Sequence, residues 1–447
     1  VSRPLVAAAR RPATLLIRGA HVLDPRTGLD EPHDVLVRDG AIAELGAPGA
    51  LTEPEDAATV DGAGRHLFPA FFDPHVHLRT PGQEHKEDLD TGTRAAAAGG
   101  FGGVIAMPNT DPTVDSAPVL RSLRDDAAET AHVPVGFLAS ITRRLEGEEL
   151  TEMAELRDAG ALGFTDDGRP LASAGLLLRA LQYQRLCGGV IALHEEDSTL
   201  SGAGVMHEGE VSARLGLAGI PPVSESTMIA RDAALASYED ARIHVQHLST
   251  VASVEAVAAA KAAGVRISAE VTPHHLVLTD AALLEVLDTA LKMNPPLRTE
   301  ADRAALVEGL RDGTIDCVAT DHAPHAREEK EVPFEEAPMG TIGLETAFPV
   351  LHSELVVPGV LGLGLLVERM TAGAALFDVP IPRIEPGAPA DLVLVDLAAE
   401  WTVGESGYHS RSEHCAFDGR TVRGEVLLTV AGGAIVHRVG VAAEVAA

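Results

Sequence analysis

Through the middle of the chain, short apolar runs alternate with longer stretches that carry helical periodicity. Eight such runs stand at residues 67–77, 103–109, 133–140, 161–167, 190–194, 243–247, 265–271 and 315–321. Strand-length apolar runs separated by helices predict parallel β/α units, because a strand covered on both faces needs no polar side. Eight of them predict an α/β fold, a (β/α)8 TIM barrel, whose chemistry sits at the carboxyl ends of its strands. The helices are credible in their own right: residues 91–98 are alanine-rich and run into Gly99-Gly100, a C-terminal stop.

The two ends of the chain have a different texture. Residues 13–65 contain short alternating segments, among them Leu15-Leu16-Ile17 and Val35-Leu36-Val37, and Asp39-Gly40 is a hairpin signal followed by the strand-like Ala41-Ile42-Ala43-Glu44-Leu45. Residues 385–447 repeat that pattern at 391–396, 424–430 and 434–437. Neither end is large enough to bury a two-sided core, so the two are expected to pack together as one small β-sandwich. The barrel, at residues 66–384, would then be an insertion. Residues 1–12 hold Arg3, Arg10 and Arg11 among alanines, lack the compact apolar centre of a secretory signal, and are expected to be a flexible leader.

Composition narrows the function. A length of 447 residues exceeds what one core supports, in keeping with two structural units. A formal charge of -31 repels phosphate backbones, and with aromatics at 3% there is little for bases to stack on, so nucleic acid is not expected as a partner. No apolar run approaches the ~18 residues of a membrane span. Cys187, Cys317 and Cys415 are odd in number and far apart, which suits a reducing, cytoplasmic setting. The glycine-rich segment 99–103 matches neither the dinucleotide fingerprint nor the phosphate loop, and no Gly-x-Ser-x-Gly elbow occurs.

What terminates the predicted strands is decisive. The first ends in Asp73-Pro74-His75-Val76-His77-Leu78-Arg79, where two histidines one residue apart on an extended segment point to one side and Arg79 would follow on that side. The second ends in Asn109, the fourth in Asp166-Asp167-Gly168, the fifth in His194, the sixth in His247 and the eighth in Asp321-His322. Each has a plain structural reading alone, as a turn residue or a satisfied core histidine. Jointly, metal-type donors at the same end of independent strands point to a metal centre. Four histidines and two carboxylates exceed one tetrahedral zinc and suit two ions sharing a bridge, with Asp167 as the candidate bridge. Two cations would lower the pKa of a bridging water enough to give hydroxide near neutral pH, and Asp321 would take and return the proton. His274 and His275 at the end of the seventh strand, and His322, are expected to be structural; the run Arg327-Glu328-Glu329-Lys330-Glu331 is read either as a solvated surface or as part of a lid.

These motifs, together with Met107-Pro108-Asn109-Thr110, Lys292-Met293-Asn294-Pro295-Pro296-Leu297-Arg298 and Asp321-His322-Ala323-Pro324-His325, resemble those of the dihydroorotases in the amidohydrolase superfamily, most closely the type I bacterial ones. The resemblance spans about residues 14–440. It implies zinc-dependent, reversible interconversion of L-dihydroorotate and N-carbamoyl-L-aspartate in pyrimidine synthesis. It further implies zinc ligands at His75, His77, Asp167, His194, His247 and Asp321, two ions or one, with Asp321 also the catalytic acid and base. Substrate contacts are implied at His77, Arg79, Asn109, Asn294 and His325 and from the backbone at Met339 and Gly340. A homodimer and association with aspartate carbamoyltransferase are implied as partners. The chain departs from many superfamily members in lacking a lysine at the end of the fourth strand, where Asp167 must bridge, and it has Met339 where the family usually has phenylalanine. Dihydropyrimidinases, hydantoinases and allantoinases share the hydrolytic core and are the enzymatic alternative; an inactive scaffold for the transferase is the other.

Overall fold

The computed structural model describes residues 5–54 and 57–440, with the backbone of 444–445. Eight parallel strands, Phe71–Val76, Phe101–Ala106, Val135–Ala139, Gly163–Thr165, Val190–Leu193, Ile243–Val245, Ile267–Val271 and Cys317–Val318, hydrogen-bond to one another in chain order. The ring closes through a parallel bridge between Val76 and His322, and through Asp73, which accepts from the Thr320 hydroxyl at 2.5 Å. One main helix follows each strand: Leu89–Ala98, Ala117–Thr130, Met153–Ala159, Ala174–Cys187, Val223–Glu239, Val251–Ala262, Glu300–Asp312 and Leu363–Leu376. Glu300–Asp312 shows how local sequence sets such an element. Thr299 and Asp302 form a reciprocal capping box at its start, and Gly313 ends it at φ 88°, a left-handed conformation that favours glycine.

Side-chain alternation divides the barrel into two cores. Val104, Phe137 and Ile191 face the helices, whereas their neighbours Ile105, Leu138 and Ala192 fill the barrel interior with Phe72 and Phe377. Leu5 packs against that interior cluster, and Val6 pairs with Val135, N to O at 2.9 Å. Residues 5–8, expected in a flexible leader, are therefore anchored to the barrel, because Leu5 and Val6 supply apolar side chains that the alanines around them do not; residues 1–4 lie outside the described ones.

The terminal strands form one continuous nine-stranded mixed sheet rather than two separate ones. It curls until its ends meet. The Asp39-Gly40 turn lies against the turn at Gly432-Gly433, where a Cβ on Gly40 would stand 2.9 Å from the Gly433 carbonyl oxygen. Both faces of the expected sandwich thus come from a single sheet wrapped around Leu15, Ile17, Val35, Val37, Val60, Leu392, Leu394, Leu428 and Val430. The apolar run expected as one strand at 67–77 is two. His66–Pro69 pairs with Leu392–Thr402 in the terminal sheet, and Phe71–Val76 begins the barrel. Leu67 enters the terminal core while Phe68 enters the barrel core, so this segment stitches the two together.

Candidate metal and active site

All six predicted donors converge at the carboxyl end of the barrel and all are buried. His77 Nε2 lies 3.0 Å from Asp321 Oδ1. His75 Nε2 lies 3.4 Å from that oxygen and 3.6 Å from Asp167 Oδ1. The second oxygen of Asp167 is 3.4 Å from His77 Nε2, whereas its Oδ1 is 3.6 Å from His194 Nδ1 and 3.7 Å from His247 Nε2. One carboxylate thus touches both histidine pairs. Donor atoms of His75, Asp167 and His247, and of His75, His77 and Asp321, form two sets within 4.8 Å.

Outer hydrogen bonds dictate which nitrogen faces inward. His75 Nδ1 donates to Glu270 at 2.6 Å and His77 Nδ1 to the side-chain Oδ1 of Asn109 at 2.9 Å, so both rings turn Nε2 lone pairs to the cluster. His194 Nε2 pairs with Glu196 at 3.3 Å, which directs Nδ1 inward, to within 3.0 Å of His247 Nε2. Two inward acceptors at that separation need a shared proton or a cation. His75 Nε2 itself is buried without a hydrogen-bond partner. Burial would lower the pKa of His75, yet Glu270, Asp321 and Asp167 raise it well above the ordinary histidine value; for His194, burial is likewise outweighed by Asp167 and Glu196, and the pKa reaches about 9. The cluster attracts positive charge, and its donor set, nitrogen and carboxylate oxygen, fits zinc or a similar divalent ion.

Three site residues hold a backbone that side chains rarely adopt: His247 at φ 31°, Asp321 at 47° and Arg79 at 59°. Such conformations cost about 1–3 kcal/mol each and persist where the surroundings enforce them. Arg79 therefore does not continue the strand as expected; the chain turns there and still delivers the guanidinium to the cavity wall. That cavity, about 270 Å³, is lined by His77, Arg79, Asn109, Asn294, Asp321 and His325, and also by Met339 and Gly340. Its volume suits a small substrate. Every substrate contact expected from the sequence is on its wall, although Asn294 donates its amide to Glu196 at 2.6 Å and His325 Nε2 donates to the Met339 carbonyl at 2.9 Å. Burial first, then Arg79 and Lys330, holds the His325 pKa well below the ordinary value, so the ring is neutral.

Other residues fall as expected or were overlooked. His275 is held by Thr272 and by the Pro295 carbonyl, and His322 stands between Glu87 and the Gly343 amide, both outside the donor sets. Glu270 and Glu196 were missed by sequence reasoning. Glu270 carried a signal, being the one charged residue in the strand Ile267–Val271, where both faces are buried. Glu196 stands two residues after His194, the spacing that brings side chains to one side of extended backbone. The acidic and basic run at 327–331 is not a solvated surface throughout: Lys330 is 2% exposed.

Residues 64–253 match a family described as dihydro-orotase-like. The chain is similar to the dihydroorotase of Anaeromyxobacter sp. (strain K), 46% identical over 428 residues that cover 95% of this chain and 98% of that one. It is equally similar to the dihydroorotase of Pelotomaculum thermopropionicum, at 46% over 423 residues, covering 94% and 98%. Among solved structures it resembles an L-hydantoinase (dihydropyrimidinase) from Arthrobacter aurescens, with a TM-score of 0.84 and 26% identity over 95% of this chain and 96% of that one.

Proposed function

The chain belongs to the dihydroorotase family, and from that premise we propose that it interconverts L-dihydroorotate and N-carbamoyl-L-aspartate, the cyclisation step of pyrimidine synthesis. The observation that carries this reading over hydantoin or dihydropyrimidine hydrolysis is Arg79. Its guanidinium is buried in the cavity wall, it makes no ion pair among the described residues, and its hydrogen bond goes to the Pro324 carbonyl at 3.1 Å. A buried cation without a carboxylate partner is costly and is matched by a substrate that brings one. Dihydroorotate carries a ring carboxylate; hydantoin and dihydrouracil do not.

His75, His77 and Asp321 would hold one zinc ion and His194 and His247 the other, with Asp167 shared. Bound there, zinc would acidify a water and polarise the scissile carbonyl. The chain's own residues do the rest. Arg79 fixes the substrate carboxylate and so orients the ring amide toward Asp321. Burial would keep Asp321 protonated, but His75 and His77 outweigh it and hold its pKa below the ordinary carboxylate range, so the group is present as the carboxylate, the form a proton acceptor requires. It takes that proton from the attacking water and passes it to the departing amide nitrogen; the reverse transfers accompany cyclisation. No helix among the described residues is long and apolar enough to cross a membrane; the proposed setting is the cytoplasm and the proposed assembly a homodimer, both as implied by the family resemblance.

The test is a parallel assay of the zinc-loaded protein on L-dihydroorotate, hydantoin, dihydrouracil and allantoin. Turnover of dihydroorotate is expected to exceed the others by about 100-fold or more in kcat/KM, roughly the discrimination of one buried, paired charge. No turnover of dihydroorotate, or preference for an uncharged ring, would sink the reading.

A further inference from the structure

Lys330 and Lys292 are both buried, and neither has a carboxylate partner within ion-pair distance among the described residues. Their ammonium groups are held instead by backbone carbonyls. Lys330 Nζ donates to Thr289 O at 2.9 Å, to Pro338 O at 2.9 Å and to Lys292 O at 3.4 Å. Lys292 reaches the other way, its Nζ donating to Phe334 O at 2.7 Å and Glu335 O at 3.0 Å while lying 5.5 Å from the centre of the Phe334 ring. Each lysine thus starts on one segment and reaches the other, Lys330 also holding Pro338 of its own segment. The two segments, 289–294 and 330–340, are joined further where Gly340 N donates to Lys292 O at 2.8 Å and the Thr289 hydroxyl donates to Lys330 O at 2.8 Å.

These segments supply much of one cavity wall. Asn294 comes two residues after Lys292, Met339 and Gly340 follow Pro338, and the Met339 carbonyl fixes His325. Gly340 sits at φ 142°, and a Cβ there would stand 2.5 Å from Ala323 O, so this piece of wall has no slack of its own. Burial lowers the Lys330 pKa to about 7, but the three carbonyls around it match the three N–H bonds of the ammonium form, whose charge-assisted bonds are stronger than neutral ones, and two lysines reaching in opposite directions resist sliding of the segments past each other.

We infer that Lys330 and Lys292 form a reciprocal clasp that positions the Met339-Gly340 wall, Asn294 and His325 around the substrate. The clasp rests on the dihydroorotase reading only for the identity of that substrate. Both lysines are positioning residues; neither reaches the reacting atoms.

Steady-state kinetics on zinc-loaded wild type, Lys330→Met, Lys292→Met and the double variant test this. KM for L-dihydroorotate should rise about tenfold or more in each single variant with kcat within about threefold, as expected for lost positioning in the ground state and transition state alike. The double variant should be little worse than the poorer single one, because both lysines hold the same pair of segments. Lys330→Arg, which keeps the charge and donors, should recover part of the affinity. Amide exchange at Gly340, whose N–H bonds to Lys292 O, gives a readout without turnover and should be about tenfold faster or more in Lys330→Gln, the milder variant if Lys330→Met does not fold. Unchanged KM, a loss confined to kcat, multiplicative effects in the double variant, or unchanged protection at Gly340 would each overturn the clasp. If the wild type does not act on dihydroorotate, the assigned reaction fails while the exchange measurement still decides the clasp.

Discussion

The curled terminal sheet and the mouth of the barrel are built by opposite rules. In the sheet, hydrophobic alternation, turn chemistry and register agree: Asp39-Gly40 turns, Leu15 meets Val37 and Ile17 meets Val35 within an apolar cluster, and the buried carboxylates of Asp24 and Asp34 are each satisfied by backbone N–H groups. At the mouth, the same chain buries four histidines and two carboxylates, places three non-glycine residues at positive φ, and leaves His75 Nε2 without a partner. Local agreement across levels makes a stable fold, and departures from it mark function. The mouth tolerates its cost because the helices, the interior cluster and the sheet over-determine its geometry.

The largest expected effect isolates chemistry from stability. Asp321→Asn keeps size and removes both the proton acceptor and a carboxylate proposed to hold zinc, so with zinc content matched to wild type kcat for dihydroorotate should fall about 1,000-fold or more, roughly 4 kcal/mol of barrier, with Tm little changed. Retention of half the wild-type rate would remove Asp321 from proton transfer. The converse substitution belongs to the sheet. Leu394 is fully buried in the terminal core, and Leu394→Ala should cost about 2–5 kcal/mol of stability by denaturant unfolding while kcat per folded molecule stays the same. A proportionate loss of kcat in folded protein would show that the sheet transmits strain to the site and would dissolve the contrast.

The barrel was legible because eight apolar runs alternate with helical stretches, and the six residues that converge at its mouth were legible because five of those runs end in histidine or aspartate, where such side chains are conspicuous. Sequence reasoning misplaced what depends on long-range packing. The run at 67–77 reads as one strand, and nothing local reveals that Leu67 and Phe68 enter different cores. The terminal strands predict a sandwich, but one wrapped sheet satisfies the same alternation as two flat ones. Glu270 and Lys330 were passed over for a related reason: their partners, His75 and the carbonyls of 289, 292 and 338, come from distant segments, so a charged residue in each place reads locally as an exception or as surface.

The smallest expected effect is a pH signature of the mouth that an apolar core cannot give. His325 is neutral because burial, then Arg79 and Lys330, disfavour its charged form. In the unfolded chain it titrates near the ordinary value of about 6.5. As pH falls below that value the unfolded state binds a proton that the folded state refuses, so the stability present above it is progressively lost, with a slope of up to about 1.4 kcal/mol per pH unit. Glu329, with Oε2 3.5 Å from His325 Nδ1, and Lys86, which pairs with Glu329, act on the same ring in opposite senses, so the slope should lie below that limit. Unfolding free energies of wild type and His325→Gln, measured from pH 7.5 to 5 at about one-half unit spacing, should converge or cross as pH falls. A difference that stays constant over that range would mean His325 accepts its proton in the folded site, and the two cations beside it would then not govern its charge.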